Sequence, residues 1–409
     1  MLTTTKQQYS QLCSTTSGAL EVSQVNGMND SVRVAWLLQG AGAYYQPIMS
    51  EFTRLFPQTI VFTADWPGFL PGFEDSFKVK QVGNMKVLSI PGSRKGYSPS
   101  FTYLSPNIVA HLLPFAPDVV FSTGFSLWTI LPLLFKAWGK WRVVIVYDGS
   151  SPGVDYQDSR LRLFQRRLIT RLTDAFITNN HIGKTYLTEV IGAREESVFV
   201  RPYLVPDPKT YSQNLENINL DTAPIQRPIF LFAGKVIPRK GLLELLEACS
   251  ILQTQGYQNY TLLVVGDGSQ RQELEVFVKT RNLEDQVKWM GNVEYEQVGA
   301  YFQQADVFVF PTLEDVWGLV AVEAMMFGKP ILCSKWGGAV ELVVDGENGY
   351  VFDPHNPEKL AELMSQFINN PDLIKSMGEK SKQIMANHTP EAVSKFLSEV
   401  VEFVEKDRD

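Results

Sequence analysis

ADVFVFPTLEDVWGLVAVEAMMFGKPILCSK, Ala305 to Lys335, reads as a strand, a helix and a second strand. ADVFVFPT and PILCSK are short apolar runs closed by polar residues or proline, as buried parallel strands are. The stretch between them is helical and apolar on nearly every side, yet it holds Glu323 among Leu319, Val320, Val322, Ala324, Met325, Met326 and Phe327. A lone buried carboxylate is costly or changes its protonation, so it needs a partner or a ligand. Asp315 and Gly318 precede it in the loop that turns into the helix, where unpaired backbone N–H groups and the helix dipole favour an anion. Two acids and a helix N-terminus suggest a phosphorylated, hydroxyl-rich ligand. The ordinary alternative is that Asp315 caps the helix and Glu323 pairs with a buried Arg or Lys.

The same alternation runs through the chain. VRVAWLLQG (32–40), DVVFSTG (118–124), WRVVIVYDG (141–149) and DAFITNN (174–180) read as strands of a first unit. PIFLFAGKV (228–236), YTLLVVGDG (260–268), ADVFVFPT (305–312) and PILCSK (330–335) read as strands of a second. Strands alternating with helices predict α/β architecture with two doubly wound, Rossmann-like domains facing an inter-domain cleft. The expected boundaries are a mobile tail over 1–30, a first domain over 31–205, a proline-containing linker over 206–227, a second domain over 228–388 and a C-terminal helix over 389–409. Thr389 is the expected N-cap of that helix, with Pro390 in its first turn, and its amphipathic pattern suits packing across domains.

With 409 residues, 44% apolar and 20% charged, the chain is large enough for two cores and has a globular composition. No apolar run is long enough to span a bilayer, and residues 1–30 lack the apolar stretch of a secretory signal. Cys13, Cys249 and Cys333 are too few and too scattered for a disulfide framework, so a reducing cytoplasm is expected. The net charge of −7 is uneven: residues 1–210 hold 20 Lys and Arg against 15 Asp and Glu, and residues 211–409 hold 17 against 29. A nucleic-acid protein is thereby disfavoured, while the first half remains able to meet an anionic surface.

GKVIPRKG, Gly234 to Gly241, follows a strand and enters a helix, placing Lys235, Arg239 and Lys240 where a diphosphate would be neutralised. Solvated surface cations are the plain alternative. Gly266 of GDG and the glycines of WGGAVELVVDGENGYVF (336–352) supply turns at the same strand ends.

In these residues the chain resembles the retaining glycosyltransferases of family 4, with the GT-B fold, over most of residues 32–405 and most strongly over 234–354. Asp315 and Glu323 stand in the two positions of that family's acid-x7-Glu motif. The resemblance implies that Glu323 holds the ribose hydroxyls of a nucleotide-sugar donor and Asp315 contacts the transferred sugar. Lys235 and Lys240 match the residues that bind the donor diphosphate, and Gly40, Ala41 and Gly42 match a glycine loop reaching the phosphates from the first domain. Gly266, Gly318, Leu319 and Val320 complete the expected donor site. Three departures stand out: Asp315 replaces the commoner Glu, unless the adjacent Glu314 serves; Lys235 replaces Arg and loses its bidentate fork; and Tyr147 or Asp148 stands where many relatives have His.

The implied reaction is sugar transfer to a glycan or lipid-linked hydroxyl, in cell-surface polysaccharide or glycolipid synthesis. Asp315 and Lys240 are the expected catalytic residues, with Asp148 as a candidate for orienting the acceptor; its plain reading is a turn former beside Gly149. With no Asp-x-Asp metal motif among the strand-end loops and no histidine cluster, no obligatory metal is expected. The donor base is expected to be uridine as the commonest, with GDP- and ADP-sugars as alternatives. A GT-B sugar-nucleotide epimerase and a non-catalytic donor-binding protein are the competing functions.

DSRLRLFQRRLITRL (158–172) reads as a helix that packs Leu161, Phe164, Leu168 and Leu172 on the sheet and leaves its arginines in solvent. The other reading is membrane docking, for which the tryptophans of LWTILPLLFKAWGKW (127–141) are also suited. The expected location is cytoplasmic, with peripheral contact at the inner face of the membrane as that second reading.

Overall fold

The computed structural model describes residues 30–40, 42–89, 100–211 and 225–406. Ala41, nearly all of the 1–30 segment and residues 212–224 of the expected linker therefore lie outside the described residues.

The first sheet has seven parallel strands in the order β3-β2-β1-β6-β7-β8-β9. In chain order they are β1 (Val34–Gly40), β2 (Thr59–Asp65), β3 (Lys78–Gln81), β6 (Val119–Thr123), β7 (Arg142–Tyr147), β8 (Ala175–Thr178) and β9 (Val198–Val200). The antiparallel hairpin of β4 (Lys86–Ser89) and β5 (Ser100–Tyr103) is inserted before β6. The second sheet has six parallel strands, β12-β11-β10-β13-β14-β15. These are β10 (Ile229–Ala233), β11 (Thr261–Val265), β12 (Val287–Gly291), β13 (Val307–Phe310), β14 (Ile331–Ser334) and β15 (Gly349–Phe352). In each sheet the order reverses beside the first strand, between β1 and β6 and between β10 and β13. That reversal opens a crevice at the carboxyl ends of the strands, the place where doubly wound sheets take their ligands. The chain thus has the expected architecture.

A single buried cluster runs from the first sheet (Trp36, Phe121, Val146) through Tyr203, Leu204 and Val205 into the second (Leu231, Phe308, Phe310). The final helix, Pro390–Lys406, joins it through Val393, Leu397 and Val400. Phe396 and Phe403 of that helix meet Phe199 of β9 at ring distances of 6.4 and 5.1 Å, so the chain's last element returns to the first domain. Its start is held by Thr389, whose hydroxyl accepts from the Ala392 amide at 3.2 Å. Among the described residues no helix is long and apolar enough to cross a membrane.

The helix Arg160–Leu172 reverses the expected packing. Leu161, Phe164, Leu168 and Leu172 are 78%, 67%, 51% and 45% exposed, whereas Arg166, Ile169 and Thr170 face the sheet. The reason lies in Arg166, whose guanidinium donates to the carbonyls of Val154 (2.8 Å) and Asp155 (3.1 Å) and to the Tyr186 hydroxyl (2.6 Å). It also lies over the Phe125 ring. A buried guanidinium held by three hydrogen bonds fixes the inward face of the helix, and the leucine stripe is left outside.

Candidate functional site

The site is assembled at the switch point of the second sheet. β10 runs into the turn Pro238–Lys240, and its neighbour β13 runs into the loop Pro311–Gly318. The two segments are tied together by backbone groups. The Leu313 amide donates to the Arg239 carbonyl at 2.9 Å, the Thr312 hydroxyl to the same carbonyl at 3.1 Å, and Arg239 Nη1 to the Glu314 carbonyl at 2.7 Å. The basic turn therefore holds the acidic loop in register.

Asp315 is buried and forms an ion pair with Lys240, and Arg239 Nη1 lies 3.6 Å from the same carboxylate oxygen. Its other oxygen is 3.4 Å from the Trp317 amide. The N-cap of the following helix, Leu319–Met326, is Gly318 at φ +93°, with no side-chain cap. Asp315 is thus cation-paired rather than a cap. The amides of Leu319 and Val320 occupy the first two positions of that helix, where no intrahelical acceptor exists.

Glu323 is buried on the same helix, and its partner is no cation: the Tyr295 hydroxyl donates to Oε1 at 2.7 Å. Burial raises its pKa above the usual carboxylate range, against the lowering pull of Tyr295 and Tyr211. Tyr211 stands nearby with its hydroxyl raised by burial and by the Glu323 charge, and that hydroxyl makes no well-formed hydrogen bond. A carboxylate whose one well-formed hydrogen bond comes from a tyrosine keeps lone pairs for further donors.

Lys235 is exposed at the end of β10 and makes no ion pair among the described residues. Gly266 closes β11 at φ +127°, and a Cβ there would lie 2.0 Å from the Gly234 carbonyl oxygen. Only glycine allows these two loops to meet. In the first domain, Gly40 ends β1 and Gly42 opens the turn Ala43–Tyr45.

Tyr147 and Asp148 separate in role. Tyr147 is buried in the first domain, donates to Asp155 Oδ1 at 2.5 Å and stacks on Tyr186. Asp148 is enclosed enough for desolvation to raise its pKa, and it accepts from the Tyr203 hydroxyl. Burial, reinforced by the Asp148 charge, pushes Tyr44 up to about 12 and raises Tyr45, both beside the glycine loop.

The two domains meet at the acidic loop. Asn180 donates to the Val316 carbonyl at 3.0 Å, and a Cβ on Gly149 would lie 2.2 Å from that oxygen. Glu314 is turned to the first domain, accepting from the Gly153 amide at 2.6 Å, so it does not share the place of Asp315. Glu341 receives the His181 amide at 2.8 Å and faces the His181 ring at 2.9 Å. Trp317 Nε1 donates to the Leu204 carbonyl at 3.0 Å. Sequence reasoning missed the tyrosines at Glu323 and Asp148 and all of these inter-domain contacts, which join residues more than a hundred positions apart and carry no local signal. Among the described residues no group of three or more His, Cys, Asp or Glu side chains is placed to hold a metal ion.

Residues 217–384 match the profile of the family described as glycosyl transferases group 1. Over 157 residues the chain is 32% identical to the D-inositol 3-phosphate glycosyltransferase of Streptomyces coelicolor, covering 36% of this chain and 34% of that one. It is 27% identical over 160 residues to the alpha-D-kanosaminyltransferase of Streptomyces kanamyceticus, covering 39% and 41%. An uncharacterized glycosyltransferase of Methanocaldococcus jannaschii is 31% identical over 153 residues, 37% of this chain and 42% of that one. The chain thus spans less than half the length of these curated relatives. Among solved structures, Anabaena HepE in complex with UDP-glucose is similar at a TM-score of 0.66 and 18% identity, covering 90% of this chain and 99% of that one. A glycosyltransferase from Rickettsia africae is similar at 0.69 and 14%, covering 92% and 99%. Residues 217–384 therefore carry the sequence signature of group 1 glycosyl transferases, within a chain that has the GT-B fold.

Proposed function

We propose that this protein is a retaining glycosyltransferase of the family 4 type, moving a sugar from a nucleoside-diphosphate sugar to a glycan or lipid-linked hydroxyl in cell-surface polysaccharide or glycolipid synthesis. The observation that carries the reading is the Lys240–Asp315 pair at the switch point of the second sheet, with Glu323 one helix further on and short of donors. In this reading Glu323 receives the ribose hydroxyls and the amides of Leu319 and Val320 face phosphate oxygens. Lys240 and Lys235 neutralise the diphosphate, and the turns at Gly40–Gly42 and Gly266 let backbone approach it. A uridine donor is the first choice, since the HepE structure holds UDP-glucose.

Two cations and a helix N-terminus would stabilise the charge that develops on the leaving phosphate, without need of a divalent ion. The bond from the anomeric carbon to the phosphate oxygen breaks as the acceptor oxygen approaches on the same face. The acceptor's proton passes to the departing phosphate oxygen, so no protein nucleophile is consumed and the anomeric configuration is kept. Asp315 pairs with Lys240, and a diphosphate that drew on this lysine would leave the carboxylate, still beside Arg239, to accept from a sugar hydroxyl. Asp148 orients the acceptor, with Tyr203 holding its carboxylate in place. The epimerase reading gains no histidine as acid or base from the inter-domain contacts, where His181 is engaged by Glu341.

The test is equilibrium binding of UDP, GDP, ADP and dTDP to wild type and Glu323→Ala, followed by assignment of the product's anomeric configuration by NMR. One nucleotide bound tightly and weakened in the variant, with an α product from an α donor, supports the proposal. Equal weak binding of all four, or an inverted product, overturns it.

A further inference from the structure

The helices Leu127–Gly139 and Arg160–Leu172 follow β6 and β7 and lie on one face of the first sheet, sharing a buried cluster through Trp128, Leu133 and Ile169. Lys136 Nζ of the first reaches the Leu172 carbonyl of the second at 3.1 Å, so the two are side by side. Their outward sides are apolar. Trp138 is 82% and Leu134 67% exposed on one, and the stripe of Leu161, Phe164, Leu168 and Leu172 is exposed on the other. Side chains of this size are ordinarily buried, and a contiguous apolar face marks an interaction surface.

We propose that this face docks the protein on an anionic lipid bilayer. The charge pattern selects that occupant. Arg160, Arg167 and Arg171 recur at helical spacing along one edge of the stripe, and all three are exposed. Neither helix contains an Asp or Glu. Arg167 is braced by its bonds to the Val190 carbonyl at 3.0 and 3.1 Å, which leave its Nη1 to meet a phosphate. An apolar strip bordered by arginines, with a tryptophan on the neighbouring helix, suits a helix lying in the headgroup plane: the apolar side chains enter the acyl boundary and the cations meet lipid phosphates. A protein partner would need acids to match the arginines and a concave surface to match a two-helix ridge. The inference is independent of the sugar-transfer reading, because it uses none of the residues at the switch point.

The test is flotation of the full-length chain with phosphatidylcholine vesicles made with and without phosphatidylglycerol. Wild type is expected to float with the anionic vesicles only. Phe164→Ser/Leu168→Ser should stay at the bottom, and Arg160→Gln/Arg171→Gln should bind about thirtyfold more weakly at low salt. Unchanged near-ultraviolet circular dichroism and unchanged nucleotide affinity establish that these variants are folded. Brominated lipids should quench the wild type more than Trp138→Phe. Failure of the wild type to float, or equal flotation of the Phe164/Leu168 variant, overturns the proposal. So does a dimer in sedimentation that the same variant dissolves, since a second copy would then cover the face.

Discussion

Replacing Lys240 by Met separates what this lysine does for the fold from what it does for the reaction. Its ammonium pairs with Asp315, and both side chains are largely withdrawn from solvent. At an effective dielectric of about 20 such a contact is worth roughly 5 kcal/mol before desolvation is subtracted. Removing one partner of a buried pair commonly costs about 3–5 kcal/mol, because the survivor is stranded. Here Arg239 remains 3.6 Å from the same oxygen. The expected loss is therefore smaller, about 1–3 kcal/mol in urea unfolding. Turnover should fall much further, by about a hundredfold to a thousandfold, as when a donor to a developing anion is removed. Lys240→Met/Asp315→Asn, which discards both charges, should regain most of the lost stability and none of the activity. Turnover of Lys240→Met within a few-fold of wild type, or recovery of activity in the double variant, would refute the assignment of this lysine to the leaving phosphate.

Glu323 has a pKa raised by burial, so its ionised form is disfavoured by the fold and its contribution to stability falls as pH rises through that pKa. Nucleotide affinity should move the other way, weakening as pH drops and the carboxylate protonates. Glu323→Gln should flatten both dependences, as calorimetric titrations across mildly acidic to neutral pH would record. Gly266→Ala places a Cβ 2.0 Å from the Gly234 carbonyl at a φ of +127°. It should lose roughly 2–4 kcal/mol in denaturant unfolding and weaken nucleotide binding as the two strand-end loops part. Turnover should survive EDTA; loss restored by magnesium or manganese would show that the cationic turn does not suffice.

How far the sequence could be read follows from where each residue sits. The eight strands recognised from their apolar runs, β1, β6, β7, β8, β10, β11, β13 and β14, all lie inside a sheet, where both faces are covered and the run is continuous. The four edge strands escaped, and so did the interior β2, whose apolar run TIVFTAD is broken by Thr59 and Thr63. KVKQ of β3 is mostly exposed and carries two lysines, and β9, at three residues, is short, as edges tend to be. The pairing of Asp315 and Glu323 with one helix start was legible because a buried acid in an apolar helix contradicts its surroundings. The tyrosine that serves Glu323 was not, because Tyr295 lies in a polar turn before a different helix. The outward stripe on Arg160–Leu172 was misread for a related reason. Amphipathic spacing shows that a helix has two faces, and only the partners of Arg166, supplied by other segments, decide which one turns inward.

Whether the second domain's strand-end site activates a nucleotide sugar is decided by nucleotide release from a panel of UDP-, GDP-, ADP- and dTDP-sugars with wild type and Asp315→Ala side by side. One donor should be turned over by the wild type and not by the variant, with nucleotide still bound. Equal turnover by the two proteins would contradict it.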